Sequence, residues 1–200
     1  IGKIEDVIIH DCMGMKHPYN YRNKAQFQVG RKGGESVIGF YSPGTHQINE
    51  TNKCCIQHES NEKILGVITD FINENRMSVY NKKAGKGLLR NIITRTGIKT
   101  KEVMIILVIN GESMPKSDEL VISLGKNIPN LKSIVLNINK SRKNHTMGDR
   151  NIVLWGEDHI NDYIGDLKFK ISPSSFFQVN SEQAEVLYEK AMEYGEFTGE

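Results

Sequence analysis

LLRNIITRT at 88–96 and EVMIILVI at 102–109, with GIKT at 97–100 between them, decide how this chain folds. The second stretch holds the longest apolar run, 103–109. It is far too short to span a bilayer and has no signal-peptide flanks, so it reads as a buried strand. The first stretch is also strand-like, and the short polar link reads as a hairpin connection. Two adjacent strands at the centre of a sheet follow from this.

Working outward, NKAQFQV at 23–29 sets Ala25, Phe27 and Val29 on one side and Lys24, Gln26 and Gln28 on the other, the period of a half-buried strand. GRKGG at 30–34 supplies a turn, 36–41 a return strand, and Pro43-Gly44 breaks it. Ile64, Leu65, Ile68, Phe71 and Ile72 recur at helical spacing. Downstream, Pro115 and Ser117-Asp-Glu119 start a second helix whose buried stripe is Leu120, Val121, Leu124 and Ile128, and Pro129-Asn130 ends it. A strand with Ile134, Leu136 and Ile138 inward follows, then a basic loop at 140–144 and short strands at 152–155, 159–164 and 167–171. The chain closes on a helix with Asn180 as N-cap, Gln183 at capping-box spacing, and Ala184, Leu187, Tyr188 and Ala191 as its buried stripe. This order implies an α+β fold, an antiparallel or mixed sheet covered by helices on one face. Residues 1–158 read as that unit and 159–200 as a transition into something else.

At 200 residues, 38% hydrophobic and 25% charged, the chain can bury one core plus a fragment, and disorder is not suggested. Three cysteines, two adjacent at Cys54 and Cys55, are a poor basis for disulfides, and a reducing cytoplasm is the expected compartment. Walker, dinucleotide-fingerprint, His-Glu-x-x-His and Cys-x-x-Cys signals are absent, and no two of the six histidines stand at zinc-ligand spacing. A net charge of +2 gives no whole-molecule field for nucleic acid. Local clusters remain, at Arg31-Lys32, at Lys82-Lys83 with Lys86 and Arg90, and at Lys140 with Arg142-Lys143. They are either an RNA-facing surface or solvated loops, according to whether the fold makes them converge.

Two stretches could carry chemistry. PYNYRNK at 18–24 puts tyrosines, an arginine and a lysine at the mouth of a strand, suited to phosphate contact and base stacking, or else simply a polar strand edge. ISPSSFFQVN at 171–180 joins paired aromatics and amides to a helix N-terminus, where a polar ligand can be held, or else is an elaborate helix cap.

Taken together, Tyr21-Arg-Asn-Lys24, Gly39-Phe-Tyr41, Cys54 with Ile56-Gln-His58, Gly87-Leu-Leu-Arg90 and the 172–180 segment form a pattern that resembles the uracil-5 RNA methyltransferase family, in particular its bacterial 23S ribosomal RNA branch. The resemblance runs from about Pro18 to Gly199, and Phe-Gln-Val-Asn at 177–180 is its most specific piece. It implies a central α+β domain that grips RNA, followed by the first strands and helix of a Rossmann-like methyltransferase domain. It implies S-adenosylmethionine as cofactor, with Gln178 on a position that contacts it, Phe176 near the substrate base, and Arg22 and Lys24 in the RNA-facing stretch. RNA is the implied partner, ribosomal more than transfer RNA, with no protein partner and no membrane.

The departures are specific. Many members hold an iron–sulfur cluster on four cysteines, one of them where Cys54 lies, but Cys12 belongs to no upstream triplet, so no cluster is expected in this chain. The family reaction adds a thiolate to C6 of uracil, activates C5 for methylation, and then removes the C5 proton with a base. None of Cys12, Cys54 and Cys55 matches the nucleophile, and the donor-binding loop, nucleophile and base are expected beyond Glu200. No catalytic residue is therefore expected here, and the 200-residue chain alone should be inactive. A non-enzymatic RNA-binding or ribosome-associated module is the competing reading, and a metal or redox protein resting on Cys54 and Cys55 the third.

Overall fold

The computed structural model describes residues 7–45, 47–51 and 53–196; His46 and residues 197–200 lie outside them. Seven strands form one sheet in the order β3-β2-β1-β4-β5-β6-β7. They are β1 (Lys24–Lys32), β2 (Glu35–Tyr41), β3 (Ile48–Glu50), β4 (Leu89–Thr96), β5 (Val103–Ile109), β6 (Leu131–Ile138) and β7 (Arg150–Gly156). Every neighbouring pair is antiparallel except β5 and β6, which run parallel. The helix α2 (Ser117–Asn127) lies between those two in the chain, as a parallel crossover requires. The sheet is therefore mixed and the class α+β, as the sequence implied.

All of β5 is buried, and alternate residues serve different cores. Val103, Ile105, Leu107 and Ile109 pack with Phe27, Ile92 and Leu136, under Ile64, Ile68 and Ile72 of α1 (Ser60–Glu74) and Leu120 and Leu124 of α2. Met104, Ile106 and Val108 pack on the opposite face with Ile93 and Val135. There the cover is a hairpin, β8 (Ile160–Ile164) and β9 (Leu167–Ile171), with Phe177 and the first turn of α3 (Ser181–Gly195). Polar bonds fix the hairpin to the sheet. The buried Asp162 carboxylate accepts from the backbone of Ile98 at 2.9 Å and Lys99 at 3.0 Å, and Glu102 accepts from Asn161 N–H at 2.7 Å.

Three sequence expectations need adjustment. The turn between β1 and β2 is not the whole 30–34 stretch but Gly33-Gly34 alone, both with positive φ, and β1 runs on to Lys32, opposite Glu35. Gly30 is a strand residue whose missing Cβ makes room for Ile48 of β3, since a Cβ there would lie 2.5 Å from the isoleucine Cδ1. The last helix buries Ser181 and Ala184, whereas Leu187 is 61% exposed, Tyr188 41%, and Ala191 is also exposed. Only its first turns meet the sheet's cover, so the stripe beyond them faces outward.

Truncating Ile106 to alanine should lower stability by about 2–5 kcal/mol, because the cavity lies between sheet and hairpin, while Ile122→Ala on the exposed side of α2 should stay within about 0.5 kcal/mol. Urea unfolding of the two variants checks this; equal small losses would contradict the second core.

Candidate nucleic-acid interface

The start of β1, the end of β4 and residues 172–180 meet at one place. Asn23 is the knot. Its backbone N–H donates to Val179 O at 2.9 Å, its side-chain amide donates to Gln178 O at 2.8 Å, and its carbonyl accepts from Thr96 N–H at 2.9 Å. On the other side Arg22 N–H donates to Ile56 O at 2.9 Å and Arg22 O accepts from His58 N–H at 3.3 Å. The two stretches singled out in the sequence are thus neighbours.

The 172–180 segment folds as it does because one aromatic goes in and the next goes out. Phe177 is buried against Phe169, ring centres 5.5 Å apart, while Phe176 is 86% exposed. The Ser172 and Ser175 hydroxyls bond at 2.7 Å and close the turn. Asn180 caps α3 by accepting from Gln183 N–H at 3.1 Å, but the reciprocal half of a capping box is not made, since the Gln183 amide donates to Met13 O at 2.7 Å.

Arg95, which the sequence reading missed, holds this turn to the sheet. It is 3% exposed, and its Nη2 donates to Pro173 O at 3.1 Å and to Ser175 O. The signal was available: Arg95 follows Ile93 by two residues and so shares that residue's buried face, where an arginine needs acceptors. Burial pushes its pKa down to about 10, which leaves it a cation at neutral pH. Its Nε is buried without a hydrogen-bond partner.

Three positive charges gather here. Burial, then Arg95, then Arg22, hold the Lys24 pKa below the usual lysine value. Arg22 Nε donates to Lys24 O at 3.2 Å. Among the described residues none of the three forms an ion pair. Partly desolvated cations that repel one another, with no carboxylate in ion-pair range among the described residues, are stabilised by an incoming anion.

Beside this lies a cavity of about 410 Å³ bounded by Met13, Gln178, Asn180, Gln183, Ala184 and Leu187. The Gln178 amide donates to Tyr188 Oη at 3.3 Å, so its side chain points along α3. An apolar wall with amide donors and acceptors suits one side of a nucleoside. Cys54 lines a separate cavity of about 210 Å³ with Gln57, His58 and Asn61, and Cys12 and Cys55 are exposed. Among the described residues no three His, Cys, Asp or Glu side chains cluster as metal ligands would, and no helix is long and apolar enough to cross a membrane.

No protein-family model matches the chain. It is 48% identical, over 199 residues, to a protein of Caldanaerobacter subterraneus subsp. tengcongensis named as an uncharacterized RNA methyltransferase, a match covering all of this chain and 44% of that one. It is 43% identical over 195 residues to a Clostridium tetani protein of the same description, covering 98% of this chain and 42% of that one. The fold matches the crystal structure of the Pyrococcus abyssi tRNA (uracil-54, C5)-methyltransferase in complex with S-adenosyl-L-homocysteine, with a TM-score of 0.74 and 27% identity, over 89% of this chain and 42% of that one.

The chain is thus similar along its whole length to part of proteins named as RNA methyltransferases. It spans less than half the length of these relatives. The motifs that carried the resemblance in the sequence are spread through this fold, and two of them meet at Asn23.

An anion bound among Arg22, Lys24 and Arg95 should raise the Lys24 pKa from its depressed value. Side-chain NMR titration of the lysine ammonium groups, with and without a short unstructured RNA, checks this; an unchanged Lys24 curve in the presence of bound RNA would contradict it.

Proposed function

We propose that this chain is the RNA-gripping part of an S-adenosylmethionine-dependent methyltransferase that methylates C5 of uridine in RNA, with 23S ribosomal RNA as the substrate. The observation that carries the proposal is the unpaired trio Arg22, Lys24 and Arg95, tied through Asn23 and Pro173 to the Phe-Gln-Val-Asn turn. Such a trio holds the backbone of a strand, and backbone contacts set position rather than sequence. Phe176 then offers an exposed ring on the same turn, suited to stacking against a base that has left its helix.

In this reading Gln178 helps hold the methyl donor, whose chemistry is transfer of a methyl group to a carbon made nucleophilic. This chain's own residues bind and orient: Arg22 and Lys24 on phosphate, the buried Arg95 adding its charge from beneath them while it holds the 172–180 turn, Phe176 on the base, and the Asn180 cap fixing the start of α3. Residues 159–200 lead from the RNA-gripping unit of 1–158 into the methyltransferase domain. The reacting thiol is none of Cys12, Cys54 and Cys55, so the 200-residue chain alone transfers no methyl group.

The choice of ribosomal RNA rests on the resemblance carried by Tyr21–Lys24, Gly39–Tyr41, Cys54 with Ile56–His58, Gly87–Arg90 and 172–180 together. The structural neighbour acts on tRNA, so both RNAs belong in the test. Full-length protein given labelled S-adenosylmethionine should methylate transcribed 23S rRNA at uridine C5 and leave tRNA unlabelled. Arg22→Ala should cut kcat/KM at least about tenfold, as loss of a charge-assisted phosphate contact of about 1.5–3 kcal/mol implies. RNA binding with no methylation of either RNA would favour a purely binding module.

A further inference from the structure

The basic clusters that the sequence left open do converge, at the opposite end of β4 from Arg95. Arg90 is 8% exposed and ties three segments together: its guanidinium lies 4.3 Å from the Tyr80 ring centre and donates to Asn139 O at 2.6 Å and Ser141 O at 2.7 Å. Lys82 Nζ donates to Asn144 Oδ1 at 2.8 Å, and the Arg142 guanidinium lies against Gly85. Arg31 donates to Met77 O at 3.0 Å, which brings the β1–β2 hairpin alongside. Lys140 is the exception, because Glu112 pairs with it and with Arg150.

Two adjoining cavities, of about 520 and 250 Å³, run through this region and share Val29, Tyr41, Tyr80 and Lys82. Lys32 and Lys83 line the larger, Lys143 the smaller, and among the described residues no carboxylate lines either. On the floor of the smaller, Asn91 donates to Gln28 Oε1 at 2.6 Å, and the far edge of this amide pair remains able to bond. Cations on the rim, two tyrosines and an amide pair inside, with no acid, match a single-stranded nucleic-acid groove and not a site for a cationic or apolar ligand.

We propose that this groove is a second RNA-binding site, which takes an unpaired stretch of the substrate strand with its phosphates on Lys32, Lys82, Lys83 and Lys143 and its bases against Tyr41 and Tyr80. It rests on the reading that the partner is RNA. Arg90 and Arg95 stand five positions apart along β4, about 17 Å at strand spacing, so one strand reaches both sites. The groove thereby selects substrates whose target uridine is flanked by unpaired nucleotides.

The test measures binding of a fluorescent unstructured RNA oligonucleotide against salt, in the full chain and without methyl donor. Lys82→Glu with Lys83→Glu should weaken binding at least tenfold and reduce the slope of log affinity against log salt by roughly 1.4, the single-strand value for two lost phosphate contacts. Lys63→Glu with Lys126→Glu, on the α1 and α2 surface, should change neither by more than about twofold. Tyr41→Ala should weaken binding about fivefold or more, and Tyr41→Phe should restore it, since stacking needs the ring and not the hydroxyl. Equal losses in the two lysine pairs, competition by polyglutamate as strong as by RNA, tighter binding of a duplex, or no binding would overturn the groove. The methylation assay is independent: protein that binds RNA through these lysines but never methylates uridine sinks the enzymatic reading and leaves the groove standing.

Discussion

The seven residues of β5 have no solvent face, so the sheet must be covered twice, and the two covers are unlike. On one side α1 and α2 bury a broad aliphatic core. On the other, the β8–β9 hairpin, Phe177 and Ala184 bury Met104, Ile106 and Val108. Each large apolar side chain so enclosed contributes about 1.5–3 kcal/mol. The second cover therefore has its own hydrophobic reason to dock, and in docking it brings residues 172–180 to the ends of β1 and β4. The place of the 172–180 turn is a consequence of where that cover stops.

Electrostatics then divides the surface. Cations near carboxylates are neutralised: Lys99 by Glu185, Lys140 and Arg150 by Glu112, Lys116 by Glu119. Arg22 and Lys24 beside Arg95, and Lys32, Lys82, Lys83 and Lys143 around Arg90, form no ion pair among the described residues. Both arginines are buried and both are held by carbonyl oxygens, which satisfy their donors without cancelling their charge. A net charge of +2 conceals this arrangement, because what a phosphate meets is the local field and not the sum.

Much of the fold was legible because local signals and tertiary demands agree. The apolar run of β5, the alternation of β1 and the helical spacing from Ile64 each specify one periodicity and one burial. The exceptions share a cause, which is that one residue type serves two purposes. Gly30 read as part of a turn but is a space for Ile48, and only the β2–β3 pairing shows it. Leu187 and Tyr188 read as a buried stripe because amphipathic spacing states which side is apolar, not what covers it. Asn180 was legible as a cap, since that bond is local, whereas Gln183 turns to Met13, 170 residues away in sequence. Arg22, Lys24 and Gln178 stand in the motifs that carry the resemblance and lie close together in the fold, whereas Arg95 was passed over because a strand strong enough to bury an arginine hides it among isoleucines.

The central claim is that RNA lies on the face formed by the ends of β1 and β4 and the 172–180 turn, away from α1 and α2. Ultraviolet crosslinking of bound RNA, with the linked peptides identified by mass spectrometry, tests it most directly. Crosslinks at Tyr19 or Tyr21 and at Phe176 are the result the account predicts; crosslinks confined to peptides of α1 and α2 would contradict it.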